Sequence, residues 1–198
     1  MKTDRSVSAP EFREFSFDRS IQRGIAAAGF ERPRPVQAAT LPAGLDGRDV
    51  LGLAQTGTGK TAAFVLPILQ RLSESSRRGP RALIVAPTRE LAIQIRDEAE
   101  LLGKHCGFRI HAVYGGVDYI KQHKAFEDGV DILIGTPGRL IDYFKQGAYT
   151  LRNTEVFVAD EADRMFDMGF IDDMRYLIRR MPQPTERTSF LYLSLIHI

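Results

Sequence analysis

Ala54-Gln-Thr-Gly-Thr-Gly-Lys-Thr61 stands between two segments of opposite character. Ahead of it, Asp49-Val-Leu-Gly-Leu-Ala54 is short and mostly apolar and reads as a strand; behind it, Ala62–Leu72 is an apolar run of helical character. Strand, glycine-bearing turn and helix, in that order, are the context a phosphate-binding loop requires. Gly57 and Gly59 let the backbone curl around Thr56 and Thr58 so that N–H groups point at phosphate oxygens. The following helix adds the positive end of its dipole. Lys60 then reaches the β- and γ-phosphates, and Thr61 offers its hydroxyl to Mg²⁺. Ala54 replaces the first glycine of the general pattern, so the loop is a variant.

The same alternation continues outward. Residues 49–54, 82–86, 109–114, 131–134, 156–159 and 189–193 read as strands, almost continuously apolar, with helical patterns between them. Leu91, Ile95, Ala99 and Leu102 recur at helical spacing, and Phe166, Phe170, Met174, Leu177, Ile178 and Met181 predict a further helical run. Strands apolar on both faces, separated by helices, predict an α/β fold, a parallel sheet with helices on both faces, and the phosphate loop within it makes the fold one of the P-loop NTPase kind. Its ligands belong at the C-terminal ends of the strands.

At 198 residues the chain has room for one substantial core. A net charge of +2 confines any RNA-binding surface to a local patch. Cys106 is the only cysteine, which excludes an internal disulfide and a cysteine-built zinc site and fits a reducing cytoplasm. No stretch reaches the ~20 apolar residues of a membrane span, and residues 1–11 read as a loose polar tail.

The strand at Val156–Ala159 runs into Asp160-Glu-Ala-Asp163. A carboxylate there can hold Mg²⁺, and its neighbour can orient an attacking water. By itself the tetrapeptide could also be an exposed helix start, since carboxylates favour helix N-termini; beside a phosphate loop that becomes the minor reading.

With these residues in place the chain resembles the DEAD-box family of ATP-dependent RNA helicases across about residues 12–192. Asp160-Glu161-Ala162-Asp163 is the family's tetrapeptide, and Gly29-Phe-Glu-Arg-Pro-Arg-Pro-Val-Gln37 is similar to its glutamine motif, with Phe12 upstream. The resemblance implies a RecA-like domain binding ATP and Mg²⁺. Lys60, Asp160 and Glu161 would be catalytic, and Thr61 and Asp160 would hold the metal. Gln37 would read the adenine edge, for which a carboxamide that donates and accepts is suited, and Phe12 would stack on the base. It implies RNA contacts at Pro87-Thr88-Arg89, at Gly116 and at Thr136-Pro137-Gly138-Arg139, gripping the phosphate backbone with little sequence preference, and interdomain coupling through Asp163. Read singly, Thr88 could be a helix cap, Gly115-Gly116 a turn and Arg139 a solvated charge.

Two departures stand out. The family has a small hydroxyl where this chain has Arg34, which questions the coupling between base and phosphate loop. The family's Ser-Ala-Thr is expected after the last strand, where the chain reads Leu193-Ser-Leu-Ile-His-Ile198. Residues 193–198 are therefore expected to be a truncated or non-native end. The second RecA-like domain, which in the family carries arginines to the γ-phosphate, is expected to be missing. A binding module that holds nucleotide or RNA without turnover, or another P-loop nucleic-acid ATPase, is the alternative.

Overall fold

A computed structural model, which describes residues 10–55, 57–117 and 119–194, resolves the alternation into one parallel sheet. Its strands are β1 (Val50–Leu53), β2 (Ala82–Val85), β3 (Ile110–Val113), β4 (Ile132–Gly135), β5 (Val156–Ala159) and β6 (Thr188–Leu193). They lie in the order β1-β6-β5-β2-β4-β3, and every pairing is parallel. The helices are α1 (Arg19–Ala27), α2 (Pro35–Leu45), α3 (Lys60–Ser73), α4 (Arg89–Leu102), α5 (Tyr119–Glu127), α6 (Pro137–Lys145), α7 (Ala162–Asp167) and α8 (Ile171–Ile178).

Successive side chains of a strand point to opposite faces, so each central strand feeds two cores. Ala82, Ile84, Val156 and Val158 pack with α1, α3 and α4 through residues such as Ile21, Ile68 and Ile95. Leu83, Val85, Phe157 and Ala159 pack with α6, α7 and α8 through Leu140, Met165 and Leu177. Burial of each such side chain is worth roughly 1.5–3 kcal/mol, which is why the runs are apolar without alternation.

The run Phe166–Met181 departs from expectation: it is two helices, α7 and α8. Gly169, at φ +83°, ends α7 in the left-handed conformation. Its N–H donates to the Phe166 carbonyl and that of Phe170 to the Met165 carbonyl, the paired bonds of a glycine-terminated helix. Apolar spacing does not register such a break.

Asp131 pins the N-terminal end of β4. Its carboxylate accepts from Arg81 Nη2 at 3.1 Å and from Arg109 Nε at 3.1 Å and backbone N–H at 3.0 Å. Burial pushes this carboxyl up, but the Arg109 hydrogen bonds and the charges of Arg109 and Arg81 outweigh it and hold the carboxyl below its ordinary 3.8. A lowered folded-state value means the bridge stabilises fully above the unfolded value and is lost as pH falls through the folded one. Asp131→Ala leaves the buried Arg81 guanidinium without its carboxylate, at a cost of ~3 kcal/mol. In a domain of this size the melting temperature should fall by about 10 °C, and thermal melts across pH 3–7 should show a shallower acid limb.

Because all six strands run the same way, all their C-terminal ends share one edge. Residues 54–55, 57–61, 86–89, 114–116, 136–139, 160–163 and 194 meet there.

Candidate nucleotide and RNA site

The phosphate loop leaves β1 at Ala54, whose N–H donates to the Leu193 carbonyl of β6. Gly57 and Gly59 take φ of +83° and +90°, conformations open to glycine at no steric cost. Gly59 is the N-cap of α3 and Lys60 its first residue, so the N–H groups of the first turn, which have no partner within the helix, lie at the cleft. Thr58 spends its hydroxyl inside the turn, donating to the Gln55 carbonyl at 2.7 Å. Thr56 lies outside the described residues.

Lys60, Thr61, Asp160 and Glu161 line one cleft of about 680 Å³ with Gln37, Arg34 and Glu98. Lys60 is 5% exposed, its Nζ 3.5 Å from Asp160 Oδ1 and, among the described residues, without a well-formed hydrogen bond. A buried ammonium in that state is costly and well suited to a phosphate. Asp160 is held above the ordinary carboxylate range by burial, with Glu161 adding to the effect and Lys60 opposing it. A divalent cation beside it would reverse that balance, so the residues present fit a nucleotide with Mg²⁺.

Glu161 sits at φ 53°, ψ 48°, the only non-glycine positive φ among the described residues, a conformation that costs of order 1–3 kcal/mol. Its Oε2 accepts from Arg164 Nη1 at 3.3 Å. Glu98, from α4, went unnoticed in the sequence, where it is one acidic residue among several on a helix. In the fold it faces the Thr61 hydroxyl and the Ala62 N–H. Burial raises its carboxyl, and those two donors and the Arg34 charge oppose the rise.

Gln37 and Arg34 both turn toward the loop. Gln37 is 2% exposed; its Oε1 accepts from the Arg34 N–H at 2.8 Å and its Nε2 donates to the Gly59 carbonyl at 3.0 Å. One N–H and one lone pair remain for a base edge. Arg34 Nη1 donates to the Gly57 carbonyl at 2.6 Å. The bridge to the phosphate loop that the lost hydroxyl left in question is thus made by the guanidinium. Phe12 is buried against Phe15 and Phe30, with ring centroids at 6.4 and 5.8 Å. It lines a cavity of about 360 Å³ whose wall includes Phe30, and Phe30 also lines the phosphate cleft.

Along the same edge follow the residues expected to meet RNA. Thr88 is the N-cap of α4, its Oγ1 accepting from the Leu91 N–H at 3.3 Å, so its structural reading holds as well. Pro87 is buried behind it while Arg89 is exposed, its guanidinium 5.0 Å from the Tyr114 ring. Gly116, at φ +77°, lies next to Arg89: a Cβ there would sit 3.6 Å from Arg89 Nη1. Thr136 is the N-cap of α6 without spending its hydroxyl on the cap, Pro137 opens the helix, and Gly138 is exposed. Arg139 lies over Tyr119 and Tyr143 at 5.2 and 5.8 Å, with Nη1 buried and without a hydrogen-bond partner among the described residues. Tyr114 and Tyr119 are thus part of this edge, which short-range patterns around the arginines do not reveal.

Asp163 links the acidic tetrapeptide to the end of β6. Its two oxygens accept the Ser194 N–H at 3.0 Å each, and Oδ2 accepts the Ser194 hydroxyl at 2.8 Å. Leu193 continues β6, pairing with Leu53; residues 195–198 of the expected anomalous end lie outside the described residues.

A glycine-hinged loop with a buried lysine, facing an acidic pair from the strand next but one, defines a P-loop nucleotide-binding α/β domain. The chain belongs to the DEAD/DEAH box helicase family, whose profile matches residues 34–194. It is 50% identical to the ATP-dependent RNA helicase RhlB of Idiomarina loihiensis over 195 residues, 96% of this chain and 46% of that protein. It is 49% identical to RhlB of Xanthomonas oryzae pv. oryzae over 197 residues, 96% of this chain and 34% of that one. Among solved structures it matches a hypothetical ATP-dependent RNA helicase from Sulfolobus tokodaii with a TM-score of 0.80 and 35% identity, covering 89% of this chain and 50% of that one. The chain thus spans about half the length, or less, of these relatives. Among the described residues no helix is long and apolar enough to cross a membrane.

Proposed function

We propose that this chain is the ATP-binding half of an RNA-stimulated ATPase that separates short RNA duplexes. The observation that carries the reading is convergence: the cleft of Lys60, Asp160 and Glu161 and the row from Arg89 to Arg139 occupy one edge of one sheet. Within it, the N–H groups at the start of α3 and the ammonium of Lys60 bind the phosphates, and Thr61 and Asp160 hold Mg²⁺. Glu161 orients the water, and Phe12 and Gln37 take the adenine end. Bound Mg²⁺ would neutralise charge developing on the γ-phosphate. Pro87, Thr88, Arg89, Gly116, Thr136, Pro137, Gly138 and Arg139 grip the RNA backbone. Asp163, through Ser194, ties the acidic motif to the strand leading toward the second half of a relative. The test is steady-state ATP hydrolysis with and without single-stranded RNA on the full-length protein; stimulation by DNA alone would replace RNA as the substrate.

For the 198 residues by themselves, a second reading is favoured by their span: nucleotide and RNA binding without useful turnover.

Arg34 carries a separate expectation. By engaging the Gly57 carbonyl, alongside Gln37 on Gly59, it fixes the curl of the phosphate loop from its carbonyl side. Arg34→Ala should therefore weaken ATP and GTP alike, by about fivefold, the worth of a partly exposed charged hydrogen bond. Titration of the two nucleotides checks it; a loss confined to ATP would make Arg34 a base contact.

A further inference from the structure

The loops at the opposite edge of the sheet carry charge that nucleotide chemistry does not use. β6, β5 and β2 are neighbours in the sheet, so the segments that precede them, 179–187, 150–155 and 74–81, come together at their N-terminal ends. Each brings arginine and none brings lysine. Arg77, Arg152 and Arg180 line one open cleft of about 460 Å³, with Glu186 its only acidic wall. That carboxylate is already in use, accepting the Gln183 N–H at 3.1 Å. Asn153 binds two of the segments together, donating through Nδ2 to the Arg78 carbonyl at 2.8 Å.

Arg77, Arg78, Arg152, Arg179 and Arg180 are all exposed. None has an ion-pair partner among the described residues. Arg180, just past the end of α8, is held against that helix, donating to the Tyr176 carbonyl at 2.8 Å and lying 3.3 Å from the Tyr176 ring centroid. In a chain whose net charge is only +2, five uncompensated guanidinium groups on one edge form a marked concentration of charge.

From this placement we infer that the cleft of Arg77, Arg152 and Arg180 is a second RNA-backbone site, on the edge opposite the nucleotide, for strand flanking the part held at the front. The inference rests on the RNA reading above. Guanidinium forks suit phosphate oxygens bidentately. The lining offers Met181 and Pro182 as its only apolar members, and Met181 is itself buried. A protein partner needs an apolar anchor at the centre of its interface, whereas a polyanion needs only charge and access. The two edges are separated by strands of four to six residues, about 13–20 Å at ~3.3 Å per residue. A strand held by the front-edge residues must therefore run on past those contacts and around the domain before it meets the cleft.

The test compares RNA of about 6 nucleotides with RNA of about 30, the first within and the second beyond a single site. Binding to the chain is followed by fluorescence anisotropy across salt concentrations. Arg77→Gln/Arg152→Gln alters two exposed, unpaired side chains, and a triple variant adds Arg180→Gln. The triple variant should bind the long RNA about tenfold more weakly at low salt, its salt slope reduced by about 2 at ~0.7 per phosphate contact. The double variant should show part of that loss, and the short RNA should bind all three proteins alike. Unchanged affinity and slope for long RNA in both variants would overturn the inference, whether an acidic protein or solvent faces the arginines. So would equal loss for both lengths. Failure of the unaltered chain to bind the short RNA would instead refute the front-edge reading, and the inference with it.

Discussion

Lys60→Ala should reduce ATP and ADP affinity by about 10², the largest effect expected from one side chain at the phosphate cleft. The lysine is buried within the cleft, only loosely paired with Asp160 at 3.5 Å and with no well-formed hydrogen bond among the described residues, so its N–H donors can turn to a phosphate chain. Charge-assisted bonds of that kind are worth about 1.5–3 kcal/mol each, and ~2.7 kcal/mol corresponds to two orders of magnitude. The substitution also leaves Asp160 without the one cation opposing the rise of its carboxyl. Titration with fluorescent ADP, in parallel with a thermal melt of the ligand-free protein, separates lost binding from lost folding. Unchanged affinity in a folded variant would remove the phosphate site from Lys60.

Joining this chain through Ser194 to the second RecA-like half of a relative should raise RNA-stimulated ATP turnover by about 10³ or more. The cleft presents Lys60, Thr61, Asp160 and Glu161 from one side. Charge that develops on the γ-phosphate must also be met from the other, where a positioned arginine contributes ~10³–10⁵ in related phosphoryl transfer. Asp163 already grips Ser194 by three hydrogen bonds, so the junction begins from an ordered point. Single-turnover and steady-state rates with and without RNA, for the chain alone and the fusion, make the comparison. Strong stimulation of the chain alone would mean that one wall suffices.

The parallel α/β architecture was legible because its signal is local. Strands buried on both faces need apolar residues at every position, and Val156-Phe-Val-Ala159 or Ala82-Leu-Ile-Val85 cannot be read otherwise once helical runs flank them. The phosphate loop was legible for the same reason, since Gly57, Gly59, Lys60 and Thr61 act within one turn of chain. The break at Gly169 was not, because apolar spacing continues through it while the backbone leaves the helical conformation at a φ of +83°.

Tertiary structure alone decided what depends on distance through space. Nothing near Arg34 in the chain says that its guanidinium reaches Gly57, 23 residues away, or that Glu98 faces the start of α3. Nor does local sequence place Tyr114 and Tyr119 beneath Arg89 and Arg139. Strand order likewise gathers the arginines of three separate loops at one edge. Periodicity and turn chemistry are properties of neighbours along the chain, whereas hydrogen bonds and ring contacts form only where groups approach within a few ångströms of space. Which residues come that close is settled only when the strands take their order in the sheet.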